Sequence, residues 1–165
     1  MITFQKAREI AEKVIQSHPY MSDDKLVILD DQILEKPYAW IFPYTSERWL
    51  KGDLNFAIGG NSPIFVDKED GKISTFRSGL SIEGMIEEYE EKNKLWELRV
   101  SSETYSDLKK LSALKAHLNI IQAELHLLKT NNVIIVAVGG KSRLDQLAEL
   151  MKLSGIDGEV KLTNS

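Results

Sequence analysis

Gly140-Lys141-Ser142 is the segment whose residue types and order come closest to a phosphate-binding loop. It follows an apolar run that predicts a strand and precedes a helical pattern. The complete motif also needs a glycine five residues before Gly140, so that the loop can wrap around the β-phosphate, and that position is Ile135. The sequence therefore predicts a strand-to-helix turn with Ser142 as helix N-cap, and a single phosphate at the helix N-terminus is the alternative.

Three acidic segments contain the carboxylate oxygens that Ca²⁺ prefers: Asp23-Asp24, Asp30-Asp31 and Asp67-Lys68-Glu69-Asp70-Gly71. A calcium loop places oxygen ligands at alternating positions and closes with a glutamate. None of the three segments has both features. The sequence therefore predicts solvated turns for the two pairs and a hairpin turn for the third segment.

Histidine and cysteine give no further candidates for catalytic or metal chemistry. His18, His117 and His126 have no second histidine or carboxylate at metal-ligand spacing, and a lone histidine lacks the partner that a general base requires. The chain has no cysteine, which excludes disulfides, thiolate metal sites and a cysteine nucleophile. We predict a protein that is not an enzyme and that has no catalytic residue, cofactor or metal ligand.

A group of glutamates is the first candidate for contacting a partner. Glu87, Glu88, Glu90 and Glu91 lie on the outward face of a helix predicted over residues 82–93. This face is either a solvated helix surface or an acidic patch that docks a basic protein. We expect Glu87, Glu88 and Glu91 to be partner contacts.

Residues 45–62 hold the second candidate. The density of glycine and asparagine there indicates a loop that either carries function or only connects. Within it lie Arg48, Trp49 and Asp53, and an exposed tryptophan is the residue type that most often anchors a protein interface. We expect these three residues to contact the same partner.

Charge is unevenly divided along the chain, whose formal net charge is −4. Residues 1–95 contain 12 Lys+Arg and 17 Asp+Glu, a net charge of −5, and residues 96–165 contain 9 and 8, a net charge of +1. An acidic front half favours a basic protein partner, and solubility is the equally favoured alternative. The negative total argues against a nucleic-acid partner.

The sequence also predicts where the protein acts. Its longest apolar run, Val133 to Val138, is far shorter than a membrane span, so no membrane partner is expected. The first fourteen residues have helical spacing of charged and apolar residues rather than the pattern of a signal peptide. We expect a cytoplasmic protein, and the sequence does not indicate its oligomeric state.

The elements that would position these residues follow from the apolar periodicity. Thr3 caps a first helix that ends near Ser17, and strands are predicted over 25–34, with a bulge or turn at Asp30-Asp31, and over 38–44. A hairpin over 63–76, with Gly71 in its turn, precedes the helix 82–93. The order α-β-β-β-β-α predicts a four-stranded antiparallel sheet with both helices on one face, and therefore an α+β domain over residues 1–94.

The second half predicts a smaller α+β domain over residues 95–165 with the order β-α-α-β-α-β. A strand begins at Trp96, Ser106 or Asp107 caps a helix, and Asn119 caps the next one. Six consecutive apolar residues from Val133 to Val138 predict a strand that is buried on both faces. The helix capped by Ser106 or Asp107 should turn Leu108, Leu111, Leu114 and Leu118 inward, and the helix that starts at Ser142 contains Leu144, Leu147, Leu150, Met151 and Leu153 at helical spacing.

The segment from Gly60 to Ile73, GNSPIFVDKEDGKI, followed by Ile86-Glu87-Glu88-Tyr89-Glu90, resembles the YrhB-domain family, also called the immunity protein 35 family. The start Met1-Ile2-Thr3-Phe4 with its amphipathic helix is similar too, so the resemblance covers about residues 1–93. It implies a non-enzymatic bacterial immunity protein that binds and neutralises a cognate polymorphic toxin by covering its surface. One branch of the family implies the alternative, a holdase-type chaperone that acts under heat stress.

The back half resembles a different family. The patterns Lys110-Leu111-Ser112-Ala113-Leu114-Lys115 and Leu153 to Val160 are similar to the C-terminal domain of the bacterial ribosomal stalk protein. The lysine-rich helix of that family is thinned here, so the resemblance implies a fold and not ribosome binding.

Overall fold

The computed structural model describes residues 1–17 and 24–163. The fold is α+β, as predicted, and the chain divides into two compact units, Met1–Ile82 and Glu83–Ser165. The predicted domain boundary between residues 94 and 95 stays a prediction, but this division groups the helix over 82–93 with the second unit. His18 and Asp23 lie outside the described residues.

The described part of the first unit contains two helices and six strands. In chain order these are α1 (Phe4–Gln16), β1 (Leu26–Ile28), β2 (Leu34–Glu35), β3 (Ala39–Phe42), β4 (Tyr44–Ser46), α2 (Glu47–Leu50), β5 (Ile64–Asp67) and β6 (Ile73–Ser74). The predicted four-stranded antiparallel sheet is present in the order β2-β3-β5-β6, and β1 pairs with β4 in a separate two-stranded sheet.

Helix α1 begins and ends as its sequence predicts. The Thr3 side chain accepts a hydrogen bond from the Lys6 backbone N–H, and Ser17 is the C-cap. The apolar face of the helix packs into a core with the inner faces of the strands. The core residues that are buried are Ala7, Ala11, Ile15, Leu26, Trp40, Phe42, Tyr44, Ile64 and Val66.

Two predicted single strands are each broken in two. Residues 25–34 form β1 and β2 with a 3-10 turn at Asp30–Gln32 between them, and residues 38–44 are divided at Pro43 into β3 and the start of β4. The two breaks lie opposite each other, because the Leu29 N–H donates to the Pro43 carbonyl at 2.9 Å. Each half therefore joins a different sheet, which the separate apolar patterns do not reveal.

Residues 45–62 are more regular than the predicted loop. They begin with the end of β4 and contain α2 and a second 3-10 turn, Leu54–Phe56. The Ser46 side chain accepts a hydrogen bond from the Trp49 N–H at 3.0 Å and so starts α2. The prediction of a continuous loop was wrong because this local cap was not recognised.

The described part of the second unit contains four helices and three strands. They are α3 (Ile82–Asn93), β7 (Trp96–Val100), α4 (Leu108–Leu118), α5 (Gln122–Thr130), β8 (Ile135–Gly139), α6 (Lys141–Leu153) and β9 (Gly158–Leu162). The strands form an antiparallel sheet in the order β8-β7-β9. From β7 onwards the element order is the predicted β-α-α-β-α-β, apart from a 3-10 turn at Ser102–Ser106. Leu98, Leu114, Leu144 and Met151 are fully buried in its core.

Strand β8 is not buried on both faces, contrary to its prediction. It pairs only with β7 and forms an edge of the sheet. The side chains of Ile135 and Val138 are 37% and 38% exposed. The prediction failed because a run of apolar residues does not distinguish an edge strand from a central one.

Three details of the helices also differ from prediction. Asn119 is the C-cap of α4 in the left-handed conformation, with φ 52°, and α5 starts after Ile121, whose N–H donates to the Glu124 carboxylate at 2.8 Å. Helix α6 begins at Lys141 with Gly140 as N-cap, so Ser142 is not the cap. Leu108 of α4, which was predicted to face inward, is 80% exposed.

Among the residues described, none of the helices has the combined length and apolar character that crossing a bilayer requires.

Candidate functional site

Arg48, Trp49 and Asp53 lie together on α2 and the turn that follows it. The Arg48 Nη2 atom is 2.7 Å from Asp53 Oδ2, and the Arg48 guanidinium lies 3.7 Å from the centroid of the Phe56 ring. These contacts hold Arg48 in one place beside Trp49. The three contact residues predicted in the first unit therefore lie on one short helix and the turn that follows it. Their role as partner contacts stays a prediction.

The same segment exposes apolar side chains. Trp49, Leu50 and Leu54 are 41%, 51% and 80% exposed, and we call these three residues the α2 patch. Large apolar side chains this close together on a surface are typical of a protein interface. Leu50 and Leu54 were missed in the sequence, where the only available signal was that two leucines occur in an otherwise polar segment.

Asp24, which lies well before α2 in the sequence, accepts hydrogen bonds that hold the start of the segment carrying the α2 patch. Its carboxylate accepts hydrogen bonds from the Ser46 hydroxyl and from the Arg48 backbone N–H, the latter at 3.3 Å. Ser46 in turn accepts from the Trp49 N–H. Asp24 therefore supports the start of α2 rather than forming the solvated turn that the sequence predicted.

A groove of about 800 Å³ lies beside this segment within the first unit. It is lined mainly by residues 55–62, together with Val14 of α1, Tyr44 of β4 and Phe76. None of the described residues that line it is an aspartate, glutamate, lysine, arginine or histidine. Burial raises the pKa of the Tyr44 phenol, so this group is also uncharged at neutral pH. The groove can bind a molecule, and its described lining contains no side chain that is charged at neutral pH.

The segment that carries the family resemblance builds one wall of this groove. Gly60 has φ 76°, a conformation that favours glycine, and a Cβ there would lie 3.3 Å from the Ser78 Cβ. The Asn61 side-chain N–H donates to the Tyr44 carbonyl at 2.6 Å. These two residues therefore tie the loop to strand β4 and shape the groove.

The segment Asp67 to Lys72 forms a hairpin turn, as predicted. The Asp67 carboxylate accepts from the Glu69 N–H at 2.7 Å, and Gly71 has φ 74°. A Cβ on Gly71 would lie 3.0 Å from the Ile10 Cδ1 atom of α1, so the turn packs closely against that helix. Among the described residues, no group of three or more histidines, aspartates and glutamates could hold a metal ion.

The glutamates of α3 cap the N-terminus of α6. Glu87 accepts hydrogen bonds from the Ser142 and Arg143 backbone N–H groups, both at 3.2 Å. Glu91 accepts from the Gly140 N–H at 2.6 Å and from Arg143 Nε at 3.0 Å. The positive end of the α6 dipole is therefore occupied by carboxylates of the same chain, where a phosphate was the alternative prediction.

Glu90 completes this group, and the prediction that it faces outward was wrong. It is only 4% exposed and accepts from the Lys141 N–H at 2.8 Å. We call Glu87, Glu90 and Glu91 the α3 carboxylates. Their capping role depends on the contact between α3 and α6. It cannot be identified from the sequence, because any acidic helix face has glutamates at the same spacing.

Close packing of the α3 carboxylates explains the two consecutive glycines before α6. A Cβ on Gly140 would collide with the Glu87 carboxylate, and one on Gly139 would collide with Glu91 and Arg143. Hydrogen bonds from the Arg143 side chain and the Gly140 N–H hold the pKa of Glu91 below its ordinary value. Glu88 is exposed. Of the three glutamates predicted as partner contacts, Glu87 and Glu91 have structural roles within the chain.

The two described histidines make local contacts. His117 Nε2 lies 2.9 Å from Ser154 Oγ, and His126 Nε2 lies 3.4 Å from Thr130 Oγ1. Neither contact includes a carboxylate that could orient the ring as in a catalytic pair.

The division into two units changes the charge balance. Residues 1–82 contain 10 Lys+Arg and 12 Asp+Glu, and residues 83–165 contain 11 and 13, so each unit has a formal net charge of −2. The excess negative charge counted for residues 1–95 comes from the five glutamates of α3, which belong to the second unit. Counted by the units of the structure, the charge asymmetry is absent.

A family model described as Immunity protein 35 matches residues 5–92. This range includes the α2 patch, the groove and the α3 carboxylates. No curated protein and no solved structure matches the chain. The resemblance of residues 95–165 to the ribosomal stalk protein therefore has no support from these comparisons and stays a prediction.

Proposed function

Because the chain belongs to the immunity protein 35 family, we propose that it binds a cognate bacterial toxin protein in the cytoplasm and neutralises it by covering its active surface. The observation that carries this proposal is the exposed α2 patch, which lies within the residues that the family model matches. The proposed action is non-enzymatic, and the described residues that line the groove include no aspartate, glutamate, lysine, arginine or histidine.

The α2 patch has the properties of an interface anchor. Burial of an exposed tryptophan and two leucines against a partner would contribute about 25 cal/mol for each Å² of apolar surface removed from water. Asp53 and Phe56 hold the Arg48 side chain in place before binding, so less conformational entropy is lost when the complex forms. Occlusion through this patch needs no chemical step.

The proposal specifies a protein partner and not its charge. The expectation of a basic toxin depended on the net charge of −5 counted for residues 1–95. The two units of the structure instead have equal net charges, so this reason no longer applies. The exposed Glu88 is the one predicted glutamate for which the structure describes no capping role at α6.

A matched pair of variants tests the α2 patch as the contact surface. Leu54 and Leu153 are 80% and 86% exposed, so Leu54→Ala and Leu153→Ala remove the same group from equally exposed positions, one inside the patch and one in the second unit. Binding to the purified product of the neighbouring toxin-like gene should weaken with Leu54→Ala by about 1 kcal/mol or more and not with Leu153→Ala. Equal binding by both variants would exclude the α2 patch as the contact.

A holdase-type chaperone is the second candidate function. The observation that favours it is the set of exposed leucines in the second unit, Leu108, Leu127, Leu150 and Leu153. A holdase would suppress the heat-induced aggregation of unrelated proteins, as measured by light scattering. Activity in this assay without binding to the toxin-like protein would favour the chaperone over the immunity protein.

A further inference from the structure

The groove of the first unit differs from the rest of the surface in its charge. Asp, Glu, Lys and Arg make up 28% of the chain, yet none of the described residues that line the groove belongs to these types. A charged group inside it would lose hydration without gaining an ionic partner, which is unfavourable. The described part of the lining therefore favours an uncharged occupant.

The loop that lines the groove has backbone N–H groups that make no hydrogen bond within the described part of the chain. Among the described residues, the backbone N–H groups of residues 58–62 donate to no other backbone or side-chain acceptor. Gly59 and Gly60 are exposed, and a Cβ on Gly59 would meet no atom within 4 Å, so a ligand can approach the main chain there closely. A ligand with a series of carbonyl acceptors would satisfy these donors.

The other wall of the groove is apolar. Val14, Ile58, Ile64 and Phe76 contribute aliphatic and aromatic surface. A volume of about 800 Å³ is within the range of about 300–1,000 Å³ that is typical of ligand sites. An extended peptide suits such a groove, because alternate carbonyl groups point to one edge of its backbone, where they can accept from the loop, and side chains on one of its faces can lie on the apolar residues.

We propose that this groove binds an extended, uncharged, apolar peptide segment of the toxin, with main-chain hydrogen bonds to the Ile58–Ser62 loop and apolar side chains against Phe76 and Val14. This inference rests on the proposed function, since it assigns the segment to the toxin. It adds a second contact beside the α2 patch and names the chemistry of the toxin segment.

A short synthetic peptide tests the groove without the toxin. The probe is the blocked peptide acetyl-Thr-Val-Leu-Val-Thr-amide, titrated into the ¹⁵N-labelled full chain while amide chemical shifts are recorded. We expect saturable shifts at Gly59, Gly60 and Asn61, and at least about tenfold weaker binding when the central leucine is replaced by lysine or by glutamate. Equal binding of the charged peptides, or no shifts in the Ile58–Ser62 loop, would overturn the proposal.

A matched pair of variants locates the binding. Gly59→Phe adds a bulky side chain to a residue that lines the groove, at a position where an added Cβ meets no atom within 4 Å. Gln5→Phe adds the same group to an exposed position of α1 outside the groove. Gly59→Phe should weaken peptide binding by at least about tenfold, and Gln5→Phe should leave it unchanged. Equal effects of the two variants would place the peptide elsewhere and overturn the assignment.

The toxin-like protein then separates the two proposals. If the chain binds the toxin-like protein and Gly59→Phe weakens that binding, the peptide segment belongs to the toxin. If the toxin-like protein binds equally to the wild type and to Gly59→Phe, the inference fails and the proposed function stands. If the peptide binds and the toxin-like protein does not, the proposed function fails, and with it the assignment of the segment to the toxin.

Discussion

At the scale of single residues, carboxylates that looked like free surface charge have definite positions in the fold. Glu87, Glu90 and Glu91 each accept hydrogen bonds from the first amides of α6, and Asp24 supports the start of α2. Acidic side chains at a helix N-terminus interact favourably with the helix dipole. The sequence context of the α3 carboxylates predicts only a solvated face, because they are 49 to 56 residues away from the N–H groups that donate to them.

The first prediction concerns Glu91 and pH. Its pKa is lowered in the folded state, first by the hydrogen bond from the Arg143 side chain and then by that from the Gly140 N–H. A carboxyl group with a lowered folded pKa stabilises the fold above its unfolded pKa, and this contribution is lost as the pH falls through the folded value. The difference in unfolding free energy between wild type and Glu91→Gln should therefore be largest at neutral pH and shrink below about pH 4.5. Denaturant unfolding at several pH values measures it, and a pH-independent difference would contradict the assignment.

The second prediction concerns the close packing at Gly140. Gly140→Ala places a Cβ against the Glu87 carboxylate, which can move aside only by giving up its hydrogen bonds to the Ser142 and Arg143 N–H groups, and should therefore destabilise the protein by about 0.5–2 kcal/mol, the usual cost of a lost helix cap. Gly59→Ala is the control, because its Cβ meets no atom within 4 Å and stability should be unchanged or raised. In a Glu87→Ala background the cost of Gly140→Ala should become smaller. If the cost is the same in both backgrounds, the contact with Glu87 is not its cause.

At the scale of elements, the sequence predicts what is determined locally. Helix α1 has a capping threonine and a continuous apolar stripe, and its bounds match the prediction. The hairpin of β5 and β6 has Gly71 in its turn, where the backbone needs a positive φ. Both features depend on neighbours within a few residues.

The elements that were predicted wrongly depend on distant partners. The division of strand 25–34 at Asp30-Asp31 agrees with the predicted turn, but the two halves join different sheets, which was not predicted. Strand β8 is an edge strand, because no strand lies on its outer side in the sheet β8-β7-β9. Of the candidate site, Arg48, Trp49 and Asp53 were predicted as a group, whereas the groove needs residues from α1, β4 and two loops together. Contacts between residues far apart in the chain leave no periodic signal in it.

The third prediction tests the boundary between α4 and α5. Asn119 has φ 52°, a conformation that costs most residues about 1–2 kcal/mol and glycine almost nothing. Asn119→Gly should therefore maintain or raise the unfolding free energy, and Asn119→Val should lower it by about 1 kcal/mol or more. If Asn119 were the N-cap of α5, as the sequence predicted, Asn119→Gly would lose a side-chain cap and Asn119→Ser would be neutral.

At the scale of the whole molecule, the chain has two compact units. The boundary between them depends on the unit to which α3 is assigned. The family model ends at residue 92, near the end of α3, whereas the hydrogen bonds of the α3 carboxylates connect this helix to α6. A segment that belongs to the family by sequence can therefore belong to the second unit by its contacts.

The fourth prediction tests this role of α3 with two fragments. Residues 83–165 contain the α3 carboxylates, and residues 95–165 leave the first amides of α6 without them. The longer fragment should melt cooperatively and at a clearly higher temperature than the shorter one, as measured by circular dichroism. Equal melting temperatures would favour the boundary between residues 94 and 95 instead.

The most direct test of the account is a calorimetric titration of the purified full chain into the purified product of the neighbouring toxin-like gene, with the toxin's activity measured on the same mixtures. We predict a saturable one-to-one complex with a Kd of about 1 µM or lower, loss of toxin activity in proportion to the complex formed, and weaker binding by Leu54→Ala than by Leu153→Ala. No complex at protein concentrations of about 100 µM, or a complex in which the toxin stays fully active, would contradict the claim that this protein acts by covering a toxin's surface.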